Sequence, residues 1–311
     1  MKKCVCPCCH SNNVSFVFFG RDFMFQTQDR FSVYACHACS SLFHYPFLSF
    51  LEMKTHYPSQ SYYSYKERPL NFLGKLRRYL VRHTYEKTFI GTLFGLIKKI
   101  PALPKKMRNG TLLDVGCGSG DTILLLKQLG WDVYGLEIDM YAVKSAKKKG
   151  LSNVQSGGYL KMDAYKKNFF DAVRMYHVIE HLDNPKKALQ MIHTILKKNG
   201  ECIIGTVSSQ SIVARIFGQY WYNLDIPRHS YVFSADALLT LMKETGFRIK
   251  RVEYCSGGGI AGSIQYMLTN VFHIKVNLVD NPFVVLLFYP IEWICDVIHK
   301  GDVFVIHAEK I

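Results

Sequence analysis

The 311-residue chain is 49% hydrophobic and 20% charged, a balance that excludes disorder, collagen-like repeats and low complexity. Its 39 Lys and Arg exceed its 24 Asp and Glu, and the resulting +15 predicts an acidic partner or surface. The length suits one large domain, alone or with a small appendage.

Six of the ten cysteines fall within the first 39 residues. Met1-Lys2-Lys3 has the basic start of an export signal, but no apolar stretch follows it. Metal binding therefore explains the cysteines better than a disulfide framework, and the cytoplasm is the expected compartment. Cys6-Pro7-Cys8-Cys9 and Cys36-His37-Ala38-Cys39 supply two Cys-x-x-Cys knuckles separated by 26 residues, able to close a tetrahedral zinc site. Pairing Cys6 and Cys9 with Cys36 and Cys39 gives both knuckles equal geometry. Cys4, Cys8, His10 and His37 are spare donors, and Cys8 stays open as an alternative ligand. Four thiolates leave no open coordination position, so the zinc would be structural.

A strand-like stretch, Val14–Phe19, and a Tyr-rich tail with Tyr57, Tyr62, Tyr63 and Tyr65 complete a small module over residues 1–65. Residues 66–108 then carry twelve Lys and Arg against two acids. Phe72, Leu76 and Leu80 recur there at helical spacing, with Arg77, Arg78 and Arg82 between them. This amphipathic segment is either a solvated helix on the main domain or a surface for phosphates or anionic lipid.

From Thr111 the rhythm becomes α/β. Strands are expected at Thr111–Val115, Asp132–Glu137, Asn153–Gln155, Phe170–Tyr176, Glu201–Thr206, Phe247–Tyr254 and Asp302–Ala308. Helices are expected at Thr122–Leu129, Tyr141–Lys149, Pro185–Lys198 (stopped by Asn199-Gly200) and Ala235–Thr245, with a helical insertion over about 256–300. The alternation predicts a mostly parallel sheet covered on both faces. The longest apolar run, Pro282–Ile291, is shorter than the roughly 18 residues of a bilayer span, leaving peripheral membrane contact by 66–108 or 281–299 open.

The strongest local signal is Leu112-Leu113-Asp114-Val115-Gly116-Cys117-Gly118-Ser119-Gly120. A strand delivers the chain to a glycine turn whose backbone a ligand can approach, and the next helix offers free N–H groups. Glu137, at the end of the following strand, can accept hydrogen bonds from both hydroxyls of a ribose. This constellation resembles the class I S-adenosylmethionine-dependent methyltransferases, over roughly residues 105–255 plus the final strand. The resemblance implies a Rossmann-like seven-stranded methyltransferase sheet with helices on both faces, here spanning 109–311. It also implies that Gly116, Gly118 and Gly120 wrap the methionine part of S-adenosylmethionine, that Asp114 lies near its ammonium group and that Glu137 holds the ribose. Tyr176 and His177 would complete the pocket wall.

Phe170–Leu182 carries His177-Val178-Ile179-Glu180-His181 where the open ends of parallel strands hold ligands. His177 is the first candidate for a general base, with His181 and His229 after it, since imidazole titrates near pH ~6.5. The stretch is similar to one in ubiquinone-pathway and small-RNA O-methyltransferases, which have Glu where His177 stands. Without that carboxylate a magnesium site of the kind they can form is in doubt, because magnesium favours oxygen ligands.

The knuckles, Phe43-His44-Tyr45-Pro46, Tyr62-Tyr63 and Tyr220-Trp221-Tyr222-Asn223-Leu224-Asp225-Ile226-Pro227-Arg228-His229 together resemble bacterial methyltransferases of surface-glycan and deoxysugar pathways. Those proteins open with a zinc ribbon, whose knuckles are usually followed by Gly where this chain has His10 and Ser40. The resemblance implies O-methylation of a small-molecule or lipid-linked sugar acceptor, with C-methylation of a keto-deoxysugar as a close variant. An exposed Tyr/Trp pair with Arg228 and His229 would suit a sugar and a phosphate, and the segment would close as a lid. RNA methylation is a competing reading of the ribbon and the +15 charge, but the chain has no recognisable RNA-binding motif.

Overall fold

The computed structural model describes residues 4–57, 72–97, 100–107 and 109–311. Met1-Lys2-Lys3, the Tyr62-Tyr63 pair and Tyr65 lie outside them, as do Lys66, Arg68, Lys98, Lys99 and Arg108 of the basic segment.

Among the described residues two sheets organise the chain. The larger runs in the order β10-β11-β8-β7-β4-β5-β6. Its members are β4 (Thr111–Val115), β5 (Asp132–Glu137), β6 (Val154–Ser156), β7 (Phe170–Tyr176), β8 (Leu196–Val207), β10 (Phe247–Tyr254) and β11 (Val303–Lys310). β4 through β8 are parallel where they pair, and β11 is antiparallel to both neighbours. Central strands such as β4 are buried along almost their whole length, as parallel strands covered on both faces must be. Helices α4 (Asp121–Gln128), α5 (Met140–Lys148), α6 (Pro185–Ile195) and α8 (Ala235–Glu244) supply that cover. Local chemistry starts three of them. Asp139 accepts from Ala142 N, Asn184 from Lys187 N and Ser234 from Ala237 N, and Pro185 fills the first turn of α6. One large core cluster includes Leu113, Val115, Phe170, Val173, Ile192 and Phe247; a second holds Leu112, Ile123, Leu126 and Trp131.

One boundary differs from expectation. α6 ends at Ile195, and Lys197–Gly200, expected as the end of the helix, belongs to β8. Leu196 is extended and buried, while Lys197 Nζ lies 2.8 Å from both oxygens of Asp171, so the chain turns early to satisfy a buried leucine and an ion pair. Asn199, at φ 60°, absorbs the resulting bulge.

The basic segment forms α2 (Phe72–Glu86) and α3 (Phe89–Ile97). α2 docks through Val81 and Tyr85, whose hydroxyl accepts the indole N–H of Trp131 at 2.7 Å. α9 (Gly259–Val271) and α10 (Pro282–Val297) fill the insertion. α10 leaves Phe283, Leu286 and Leu287 exposed, yet among the described residues no helix is long and apolar enough to cross a membrane.

The smaller sheet has the order β1-β2-β3-β9, from β1 (Val14–Arg21), β2 (Arg30–Cys36), β3 (Leu42–His44) and β9 (Tyr231–Val232). β9 lies almost 190 residues beyond β3 in the chain and pairs with it through Leu42–Val232 and Phe43–Tyr231. Short α1 (Phe50–Thr55) follows, and α7 (Ile212–Phe217) leads from β8 towards β9.

Candidate active site

The glycine turn after β4 is folded onto the end of β5. Gly116 N and Cys117 N both donate to Leu136 O, at 2.8 and 3.2 Å, and Gly118 N donates to Glu137 Oε2 at 2.8 Å. Gly116, Gly118 and Gly120 sit at φ 75°, 54° and 82°, the left-handed region that side chains resist. A Cβ at Gly116 would lie 2.3 Å from Val178 Cγ2, so this turn and the His177–His181 stretch are in direct contact.

Glu137 is buried, which raises its carboxyl above the usual range, although the backbone N–H groups of Asp139, Gly118 and Ile138 oppose that shift. Oε1 accepts from Asp139 N at 2.9 Å and Oε2 from Gly118 N, leaving each oxygen a further lone pair for a hydroxyl. That capacity fits the two hydroxyls of an adenosyl ribose. Asp114 has a different partner. Both its oxygens face Arg174 Nη1, at 2.8 and 2.9 Å, deep under the turn, and Arg174 Nε donates to Ala102 O. The pair braces the turn from below. Tyr176 packs over Gly205, where a Cβ would lie 2.3 Å from its ring, and beneath the Arg174 guanidinium.

His177 directly follows β7 at φ 54°, with its Nδ1 3.1 Å from Glu180 Oε1. Glu180 is fully buried. Burial pushes its carboxyl up, but the hydrogen bond and charge of His177, aided by His181 and His229, outweigh this and hold it down at about 2. An anionic Glu180 thus orients the half-buried His177 ring, a carboxylate–imidazole arrangement suited to proton removal. His229 is buried, and that burial, with His181 beside it, lowers its pKa to about 4. Its Nδ1 faces Asn223 O at 2.9 Å. His181 Nδ1 lies 2.8 Å from Arg228 O and 2.9 Å from the hydroxyl of Tyr57. The three histidines expected from the sequence therefore converge, and Tyr57, Glu180 and the carbonyl of Arg228 join them. One donor atom each of Glu180, His181 and His229 lies within 4.8 Å of the others, and Glu180 Oε2 has no hydrogen-bond partner. Such a set could hold a divalent ion, and two imidazoles suit a transition metal better than magnesium.

The segment before His229 does not present an open sugar-and-phosphate surface. Trp221 and Arg228 are both fully buried. The indole N–H of Trp221 donates to Asp302 at 3.0 Å. Arg228 spends its guanidinium on Asp22, at 2.6 and 3.0 Å, on Asp225 and on His56 O. Two aspartates, one from the N-terminal module, draw the arginine inward. The stretch expected as a lid is a joint.

At the knuckles, Cys6, Cys9, Cys36 and Cys39 bring their sulfurs within 4.8 Å of one another, with Cys6–Cys39 and Cys9–Cys36 each at 3.6 Å. Zinc–sulfur bonds of about 2.3 Å would set tetrahedral edges of about 3.8 Å, so the set fits zinc. His10 N donates to Cys6 O and Ser40 N to Cys36 O, and both residues take positive φ, 59° and 57°, the left-handed region where glycine fits best. His37 turns away to Ser15 Oγ at 2.8 Å.

Sequence reasoning did not assign Arg174, Tyr57 or Asp22 to the site, although Tyr57 stood out in the Tyr-rich tail. Arg174 left a signal, a charge in the middle of an apolar strand.

A family model described as a methyltransferase domain matches residues 86–252. An uncharacterised protein of Methanocaldococcus jannaschii is 25% identical over 164 residues, covering 53% of this chain and 77% of its own. A ubiquinone biosynthesis O-methyltransferase of Rickettsia canadensis is 24% identical over 200 residues, covering 61% and 81%. Among solved structures, a SAM-dependent methyltransferase from Archaeoglobus fulgidus is 21% identical with a TM-score of 0.48, covering 77% of this chain and 98% of that one. With more than half its length matched by the family model, the chain belongs to the methyltransferase-domain family and is an S-adenosylmethionine-dependent methyltransferase.

Proposed function

We propose that the protein methylates a hydroxyl of a sugar or glycan precursor carried on a nucleotide or a lipid, with His177 as the general base. The observation that carries this reading is the His177–Glu180 pair, 3.1 Å apart, in a stretch that touches the glycine turn through Val178 and Gly116. The cofactor supplies an already activated methyl group, so the protein's work is placement and proton management. Glu137 would hold the ribose, and the glycine turn would follow the methionine part. His177 takes the acceptor's proton at its Nε2 while Glu180 keeps Nδ1 protonated and the ring oriented. An oxygen acceptor accords with the ubiquinone biosynthesis O-methyltransferases among the relatives. The sugar assignment rests on the resemblance of the ribbon and of residues 220–229 to surface-glycan enzymes. Cys6, Cys9, Cys36 and Cys39 would hold a structural zinc. A lipid carrier would bring the chain to a membrane surface, where the exposed apolar residues of α10 could rest.

The test is His177→Ala, assayed against sugar nucleotides, lipid-linked sugars and phenolic acceptors. S-adenosylmethionine affinity should stay within about twofold, while turnover falls at least about tenfold. Unchanged turnover would remove His177 from the role of base, and exclusive activity on phenols would overturn the sugar assignment.

A further inference from the structure

The hairpin of the N-terminal module contains an electrostatic conflict. Arg21 on β1 stands directly opposite Arg30 on β2, and side chains paired in this way share one face of a hairpin. Like charges so placed repel. Neither guanidinium has a hydrogen-bond or ion-pair partner among the described residues, although the chain offers 24 acids and pairs many of them elsewhere.

Both arginines line a groove of about 480 Å³ between this hairpin, the turn at Gln219-Tyr220 and the end of α9. Five aromatic rings share its wall: Phe16, Phe18, Phe19, Phe23 and Tyr220. Phe16 and Phe19 are about half exposed on β1, where burial would be the cheaper arrangement. Phe23 and Tyr220 stack at 5.3 Å and fix the inner end. The remaining polar liners are the amides of Gln219 and Asn270, and no carboxylate lines the groove. The volume falls within the range of small-molecule sites. Donors without acids select an anion, the paired forks of arginine suit phosphate oxygens, and the rings suit a flat or apolar body attached to it.

The groove also adjoins the joint described above. Arg21 precedes Asp22, which holds Arg228, and Arg228 precedes His229 at the active site. A carrier seated in the groove would lie across that joint from the histidine cluster.

We propose that Arg21 and Arg30 with the surrounding rings form an anchoring subsite for the phosphate or diphosphate of the acceptor's carrier, bound by salt-bridged oxygens and stacked or packed on the aromatic wall. This deepens the reading of the protein as a methyltransferase of carrier-linked sugars and rests on it. A nucleoside diphosphate and a polyprenyl phosphate share this chemistry and differ in the body that meets the rings.

The experiment uses the full chain and three probes: uridine diphosphate, inorganic pyrophosphate, and detergent micelles containing a polyprenyl phosphate. Binding is followed by calorimetry in the wild type and in Arg21→Gln/Arg30→Gln, alongside S-adenosylmethionine. At least one organic phosphate should bind at least tenfold more tightly than pyrophosphate, and the double variant should lose at least tenfold of that affinity. A nucleotide preference would assign the nucleotide carrier, and a micelle preference the lipid one. The ligand-free variant should melt no lower than the wild type, because the repulsion has been removed; this separates loss of the site from loss of the fold. No binding by any probe, equal binding by the double variant, or pyrophosphate alone binding as tightly as the organic phosphates would overturn the subsite. Failure of S-adenosylmethionine to bind would instead overturn the methyltransferase mechanism, with the subsite judged by the probes alone.

Discussion

Replacing Arg228 by methionine tests whether the joint is held by charge. The substitution removes the guanidinium from between two buried carboxylates, which lose different amounts. Asp22 keeps the backbone N–H groups of Met24 and Phe25, at 3.1 and 3.0 Å. Asp225 loses the partner that holds its carboxyl below the usual range against the upward push of burial. Removing one member of a buried pair costs about 3–5 kcal/mol. A stranded aspartate can escape by taking up a proton, and from a solution pKa of about 3.9 this costs about 4 kcal/mol at pH 7 and about 1.5 kcal/mol at pH 5. The loss in Arg228→Met should therefore be about 4 kcal/mol at pH 7 and shrink by about 2–3 kcal/mol at pH 5. The sign follows from a folded-state pKa for Asp225 that is raised in the variant, so that stability falls as pH rises through the window above the unfolded value. Urea unfolding of wild type and variant at both pH values, followed by tryptophan fluorescence, measures this. Adding Asp225→Asn should recover most of the loss at pH 7. A penalty under about 1 kcal/mol, an equal penalty at both pH values, or no recovery from the second substitution would refute this account of the joint.

Gly116→Ala should weaken S-adenosylmethionine binding at least tenfold by calorimetry, since the new methyl meets Val178 at 2.3 Å in a backbone at φ 75°. Gly130→Ala, at φ 95° in open space, is the control and should cost only a modest amount of stability. Metal analysis should find about one zinc per chain; stripping it with a chelator should lower Tm and free the four clustered cysteines for reaction with a thiol reagent. His10→Gly should leave Tm unchanged or raised, because glycine adopts φ 59° without the about 1 kcal/mol that a side chain pays there.

Much of the main sheet was legible because its cues are local. The expected bounds of strands β4, β5, β7 and β10 match to the residue, and α8 starts at Ala235 and stops short of Gly246 as expected. The glycine turn and Glu137 declared themselves by spacing along the chain. α6 was drawn too long because Asn199-Gly200 has the same local signature whether it stops a helix or bulges a strand; the tie from Lys197 to Asp171 decided the matter across 26 residues. The active-site surroundings were hidden for the same reason on a larger scale. Arg228 looked like a surface charge beside an aromatic pair until Asp22, 206 positions away, claimed it. Tyr57 reaches His181 across 124 residues.

The sharing of one small sheet by the N-terminal ribbon and the main domain has a consequence for protein engineering. β9 begins two residues after His229, and Ser234 just beyond it donates to Cys39 O and accepts from Ala237 N. A ribbon transplanted from a relative would arrive without its fourth strand, and a core cut free of its ribbon would expose a bare edge beside the histidine cluster. Chimaeras should thus tolerate exchange only when residues 228–234 travel with the cysteines, making this stretch the natural crossover unit for recombining such enzymes.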